Sequence, residues 1–163
     1  MGDGEDLAAR ITGPLARSFS TATVLFHHAI AERLGLGPTD HKCLDLLVER
    51  SVLTGAELAA LTGLTSGAIT GVVARLERAG YLRREPDPQD GRRQLLRPVP
   101  ERMVEVGEVF AELQSNAATL VADFDVDQLE AIAVFLQRAT HFARERSVLL
   151  RATARSHRTS SIL

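Results

Sequence analysis

A mainly α-helical fold, interrupted by one small β hairpin, is what this sequence predicts, and three observations carry that expectation. Apolar residues recur at three- and four-residue steps from 7 to about 34 and again from 101 to about 154, the spacing of one helix face. A helix start is written into "TGAE" (54–57), which has the form of a capping box, and Gly63 stops the short run that it opens. Only the stretch 79–99 changes period, around the turn-forming "PDPQDG".

Composition agrees with that pattern. The chain has 163 residues, 45% hydrophobic and 25% charged, which is the balance of an ordinary globular protein. Aromatics make up only 4% and Trp is absent, so the core must come from Leu, Val, Ile and Ala. No apolar run approaches the roughly 20 residues needed to cross a bilayer. The acidic start "MGDGEDLAAR" lacks the apolar stretch of a secretion signal. Cys43 is the sole cysteine and forms no internal disulfide. A cytoplasmic protein with no membrane partner is the expectation.

In chain order, Leu7, Ile11, Leu15, Phe19, Ala22, Phe26, Ala29 and Ile30 lie on one stripe of a first helix, which Pro14 kinks or starts. "GLGPTD" (35–40) stops it. Thr39 or Asp40 is expected to cap a second helix running through Arg50, with Cys43, Leu44, Leu47 and Val48 inward. A third helix follows the capping box and places Leu58 and Leu61 on its apolar side. A fourth begins at Leu64–Thr65. Two short helices joined by a Gly-containing turn define a helix-turn-helix.

The fourth helix, "TSGAITGVVARLERAGYL" (65–82), contains two glycines, each costing about 1 kcal/mol relative to Ala in a helix interior. Ile69, Val72, Val73 and Leu76 mark its buried face. The opposite face collects Gly67, Ala68, Thr70, Gly71, Ala74, Arg75 and Arg78. A face so poor in side chains lets the backbone come close to another surface, and a DNA major groove about 12 Å wide admits such a helix. The alternative is tight packing on a neighbouring helix. The N–H groups around Thr65, Ser66, Gly67 and Ala68 would also suit a phosphate.

In the hairpin after this helix, "YLRRE" and "RQLLRPV" are the expected strands, and the tip carries Arg92 and Arg93. Such a ribbon is a wing, and arginine on it fits the narrow minor groove. Asp90 is expected to hold Arg75 or Arg92 in place. From Thr65 to Pro98, seven arginines face four carboxylates, a local charge of +3 that leaves −5 for the rest of a chain whose overall charge is −2. A basic segment on an acidic body suits a polyanion. Arg83, Arg84 and Arg93 would meet phosphates and set the salt dependence. Arg75, at guanine, would supply about 1–3 kcal/mol of discrimination.

After Pro100, a helix over 101–124 shows Met103, Val106, Phe110, Leu113, Ala117 and Leu120 on one face. "DVDQ" (125–128) caps a last helix, with Leu129, Ile132, Leu136, Ala139 and Ala143 on its stripe, Phe135 and Phe142 beside it, and a loose tail from about 155. The outer helices carry more apolar face than a 39–99 unit can cover, so a second copy of the chain is expected to bury it. The domain reading is therefore 1–38 for an N-terminal dimerisation helix, 39–99 for a winged helix-turn-helix, 100–155 for C-terminal helices completing the dimerisation region, and 156–163 for a flexible tail.

The element order, together with "ELAALTGLTSGAITGVVARLERAGYLRREPDPQDGRRQLLRP" (57–98) and its wing Asp90-x-Arg92, resembles the MarR family of bacterial transcriptional regulators. The likeness covers nearly the whole chain. It implies a homodimer held by its first and last helices, a palindromic operator in double-stranded DNA read by two copies of the 65–79 helix, and Arg92 in the minor groove. It also implies a repressor released by a small, often phenolic or lipophilic, effector.

For sensing, Phe26, His27 and His41 are the candidates to meet such a ligand. Cys43 does not match the position of the family's peroxide-sensing cysteines, and a redox switch there is the alternative within the family. His27 and His28 point about 100° apart on a helix, and the paired histidines that metal-sensing relatives carry in the long helix after the wing have no counterpart here, since no histidine lies between His41 and His141; the resemblance therefore implies no metal site, and no cofactor is expected. A Gly-rich phosphate loop, a nucleophile elbow and paired carboxylates are all missing, so no catalytic residue is assigned. The remaining rival is a winged-helix module that binds protein and not specific DNA.

Overall fold

Pro14 shows how the first helix is built. The computed structural model describes residues 2–160, with side chains described outside 112–114 and 154–160. In it α1 (Asp3–Arg10) passes through a π-helical turn, Ile11–Leu15, into α2 (Ala16–Arg33). Pro14 sits inside that wider turn, where a residue without an N–H is accommodated without ending the helix.

Next, α3 (Pro38–Arg50) starts on Pro38 after Gly37, with no side-chain cap. The expected cap at Thr39 or Asp40 is therefore absent, because Asp40 turns elsewhere. Cys43, Leu44 and Leu47 are buried as expected, whereas Val48 is 46% exposed. A two-residue strand β1 (Leu53–Thr54) leads into α4 (Gly55–Thr62). There Thr54 Oγ1 accepts from the Glu57 N–H at 3.2 Å and Glu57 Oε2 accepts from the Thr54 N–H at 2.7 Å. Gly63 closes α4 at φ 76°, a conformation that a side chain would resist.

α5 (Ser66–Arg78) buries Ile69, Val72, Val73 and Leu76, the face that the periodicity gives. The wing strands are β2 (Leu82–Pro86) and β3 (Gln94–Pro98), paired antiparallel from Leu82 opposite Pro98 to Pro86 opposite Gln94. The expected two-stranded sheet has a third member. β1 pairs with β3, Leu53 opposite Leu96 and Thr54 opposite Leu95, giving the order β1-β3-β2. Two residues are too few for a period-two signal, so this strand was not legible.

Leu44, Leu47, Leu58, Val72 and Leu76 form the fully buried centre. Tyr81 anchors the end of α2: its phenol donates to the Leu34 carbonyl at 3.1 Å, and the Arg102 guanidinium lies 4.7 Å from its ring centre.

The chain divides into two compact units, Met1–Val109 and Phe110–Leu163. α6 (Pro100–Ala117) runs into a 3₁₀ turn, Ala118–Val121, and α7 (Val126–Ser160) follows. Its start is a reciprocal cap, Asp125 Oδ1 accepting from the Gln128 N–H and Gln128 Oε1 from the Asp125 N–H. α7 continues past the expected end near Ala154 as far as Ser160. Residues 161–163 of the expected tail lie outside the described residues, as does the side chain of Leu113. No described residue of the second unit is buried. Among the described residues, no single helix is long and apolar enough to cross a membrane.

Candidate nucleic-acid interface

The axes of α4 and α5 turn by 113° across a three-residue link, Gly63–Thr65, the geometry of a helix-turn-helix. With its apolar face buried, α5 presents Thr65, Ser66, Gly67, Ala68, Thr70 and Arg75 to solvent. Thr65 is more than a surface residue. Its hydroxyl accepts from the Ala68 N–H at 3.2 Å, so one of the amides expected to be open to a phosphate is already satisfied by a cap.

The two glycines serve different ends. A Cβ built on Gly67 would meet nothing within 4 Å, so its backbone is open to the outside. Packing on a neighbouring helix of the same subunit, the alternative reading of this face, therefore fails at Gly67. At Gly71 a Cβ would lie 3.2 Å from Arg75 Nη1. That glycine makes room for an arginine one turn further along.

Arg75 is held rigidly. Its Nε and Nη2 each donate to the Asp40 carboxylate at 2.7 Å, a bidentate fork that fixes the plane of the guanidinium. Asp40 is 5% exposed, and Arg75 remains about half exposed. One edge of the fork is spent on Asp40, and Nη1 lies over Gly71. Asp40, at the first turn of α3, is thus the residue that sequence reasoning missed. The two partners are 35 positions apart, and no periodicity links them. The expected Asp90–Arg75 pair is not formed.

Asp90 orders the wing tip instead. Its side chain accepts from the Arg92 N–H at 3.1 Å and its carbonyl from the Arg93 N–H at 2.8 Å. This leaves the Arg92 guanidinium in solvent, with no ion pair among the described residues. Arg93 is also exposed, and its charge, after two hydrogen bonds from Thr54, helps hold the Glu57 carboxyl below its usual range. Other arginines of the basic segment are less free than their count suggests. Arg83 and Arg97 both reach Glu85 at 2.7 Å, and Arg84 lies 3.0 Å from Glu77.

Between α2 and α3, the structure brings together the three expected effector residues. Phe26 and His27 sit edge to face at 5.8 Å between ring centres, and His27 lies 5.5 Å from His41. Asp45 joins them, its Oδ2 3.6 Å from Nδ1 of each histidine. His27 Nδ1 and His41 Nε2 are buried without a hydrogen-bond partner. Burial lowers the pKa of both rings, with Lys42 adding to the effect at His27 and Asp45 opposing it at both. Cys43, one turn from Asp40, is sealed in the core. Burial pushes its thiol up to about 11, with Asp40 adding to the rise and Arg75 offsetting part of it, so no reactive thiolate forms near neutrality.

An exposed helix crossing a support helix at a steep angle and an arginine-tipped hairpin define a winged helix-turn-helix, a fold found in many DNA-binding proteins. Residues 34–93 match the MarR family. A Bacillus subtilis HTH-type transcriptional regulator, YcgE, is 40% identical over 131 residues, covering 80% of this chain and 85% of that one. The chain belongs to the MarR family, a family of transcriptional regulators. Wild-type MarR from E. coli in its apo form superposes with a TM-score of 0.59 at 18% identity, over 78% of this chain and 94% of that one. A MepR variant from S. aureus, bound to an oligodeoxyribonucleotide, gives 0.56 at 19% identity, over 81% and 97%.

Proposed function

We propose that this chain is a repressor that binds a palindromic operator as a homodimer and is released by a small effector. One observation carries the DNA reading: a side-chain-poor helix face, open at Gly67, next to an arginine whose guanidinium Asp40 fixes in place. Two copies of α5 would enter successive major grooves, about 34 Å apart. Ser66, Gly67, Ala68, Thr70, Gly71 and Arg75 then lie nearest the bases and phosphates. Arg92, held by a turn that Asp90 closes, enters the minor groove, and Arg83, Arg84 and Arg93 meet the backbone. The DNA-bound MepR structure, alike in fold, supports this arrangement.

The dimer reading rests on apolar surface. Leu7, Leu15, Phe19 and Leu25 of the N-terminal helices are at least half exposed, as are Leu120, Phe142 and Leu150 of the second unit. A second copy supplies the partner that such stripes need. The repressor role and effector release follow from the family resemblance. An effector that alters the spacing of the two reading helices must bind the two spacings with different affinity.

The test is a gel-shift titration on the DNA upstream of the chain's own coding region. Arg92→Ala is expected to weaken binding and to lower the steepness of its salt dependence by about one unit. Unchanged affinity in that variant overturns the wing assignment.

A further inference from the structure

The cluster on α2 and α3 has a chemistry beyond that of an aromatic or carboxylate ligand. His27, His41 and Asp45 each offer a donor atom, and these atoms all lie within 4.8 Å of one another. Two of the separations are 3.6 Å, too long for hydrogen bonds. The three donors therefore converge without bonding to each other, and His27 Nδ1 is buried with no other partner. In a tetrahedral site with bonds of about 2.0–2.1 Å, neighbouring donors stand roughly 3.3 Å apart. The two histidine–Asp45 separations need only a small inward movement, and the two histidine donors lie within 4.8 Å of each other.

From this geometry we infer that His27, His41 and Asp45 bind a divalent first-row transition ion, zinc or its close analogues, through two imidazoles and one carboxylate. Two nitrogens and one oxygen suit ions of borderline softness better than calcium or magnesium, which take oxygen donors. A neutral imidazole keeps the lone pair of one ring nitrogen to offer a metal. Asp45 is partly exposed, so water could complete the coordination from that side. Lys42 Nζ now lies 3.3 Å from Asp45 Oδ2. It is an exposed, flexible side chain in a surface pair of little strength, and the cation replaces its charge beside the carboxylate.

Such an ion would tie α2 to α3 at one point. His27 comes from the N-terminal helix, whereas His41 follows directly on Asp40, the residue that fixes Arg75. Metal occupancy would thus couple a helix of the proposed dimer region to the arginine of the reading helix. This regulatory consequence rests on the function proposed above; the metal site does not.

The experiment separates the two. Untagged, chelator-treated full-length protein is titrated with Co²⁺ in the absence of DNA. Visible d–d absorption of four-coordinate strength is expected, without the near-ultraviolet thiolate band that ligation by Cys43 would give. His27→Gln and Asp45→Asn should each weaken binding by roughly tenfold or more, since even the loss of a supporting partner commonly costs that much. His28→Gln and His141→Gln should leave it unchanged, and circular dichroism establishes that each variant is folded. Absent d–d bands in the folded wild-type protein overturn the inference, and so do wild-type affinities in His27→Gln and Asp45→Asn. A Co²⁺ site that is present while zinc leaves the gel shift unmoved retains the metal site and removes only its link to DNA.

Discussion

The segment from Leu36 to Val106 and the outer helices are made from similar residues and meet opposite fates. The first holds most of the buried side chains, from Cys43 and Leu44 on α3 to Leu96 on β3, and closes on itself. From Phe110 onward no described residue is buried, although Phe124, Leu129, Phe135, Leu136 and Phe142 are all there. Along α1 and α2 only Ile30 and Ala31, at the end that meets the body, are buried. Hydrophobic content therefore does not decide which part forms a core. Short elements connected at steep angles can cover one another within a single chain, whereas a long amphipathic helix needs a partner of similar length.

The largest effect should come from breaking the self-sufficient part. Leu76→Ala removes a side chain at the centre of the body and is expected to cost about 2–5 kcal/mol in chemical denaturation. A loss below 1 kcal/mol would mean that the body, too, depends on outside contacts. Phe142→Glu tests the other region. The ring is 59% exposed, so the circular dichroism spectrum should be unchanged while analytical ultracentrifugation shows a shift from dimer to monomer. A wild-type monomer, or a dimer indifferent to this charge, removes the proposed pairing.

The glycine pair gives a finer comparison within α5. Gly67→Ala should stabilise the fold by up to about 1 kcal/mol, because the new methyl meets open space and the helix gains in propensity. Gly71→Ala should gain less, since its methyl presses on the Arg75 guanidinium, and its DNA affinity should fall through Arg75. Equal gains with equal affinities would mean that Gly71 does not serve Arg75.

The smallest effect concerns the capping box. Hydrogen bonds from the Thr54 N–H and hydroxyl lower the Glu57 pKa in the folded state. Its contribution to stability is therefore complete above the ordinary carboxylate range and is lost as pH falls through the lowered value. In melting curves taken down that range, Glu57→Gln should flatten the acid limb.

Much of this was legible in the residues themselves. The capping boxes at Thr54 and Asp125 follow from spacing, because both partners lie three positions apart and a helix start brings them together wherever it occurs. The same holds for the buried face of α5 and for the stop at Gly63, each set by local backbone geometry. The open face of α5 at Gly67 was legible for the related reason that glycines in a helix interior require a compensation.

Other features were decided by the way distant elements meet. Asp40 looked like a cap and is instead the fork that positions Arg75. β1 is too short to announce itself, and it pairs only because β3 passes beside it. Asp90 fixes a turn and not a guanidinium. His27 and His41 were expected together, but Asp45, 3.6 Å from both, was not. By itself, the amino-acid order determined each helix, its ends and the face it would bury, since these depend on interactions over a few residues. Only the tertiary structure decided which charged side chains share a contact, because that depends on where the helices cross, and the packing of the whole core sets those crossings.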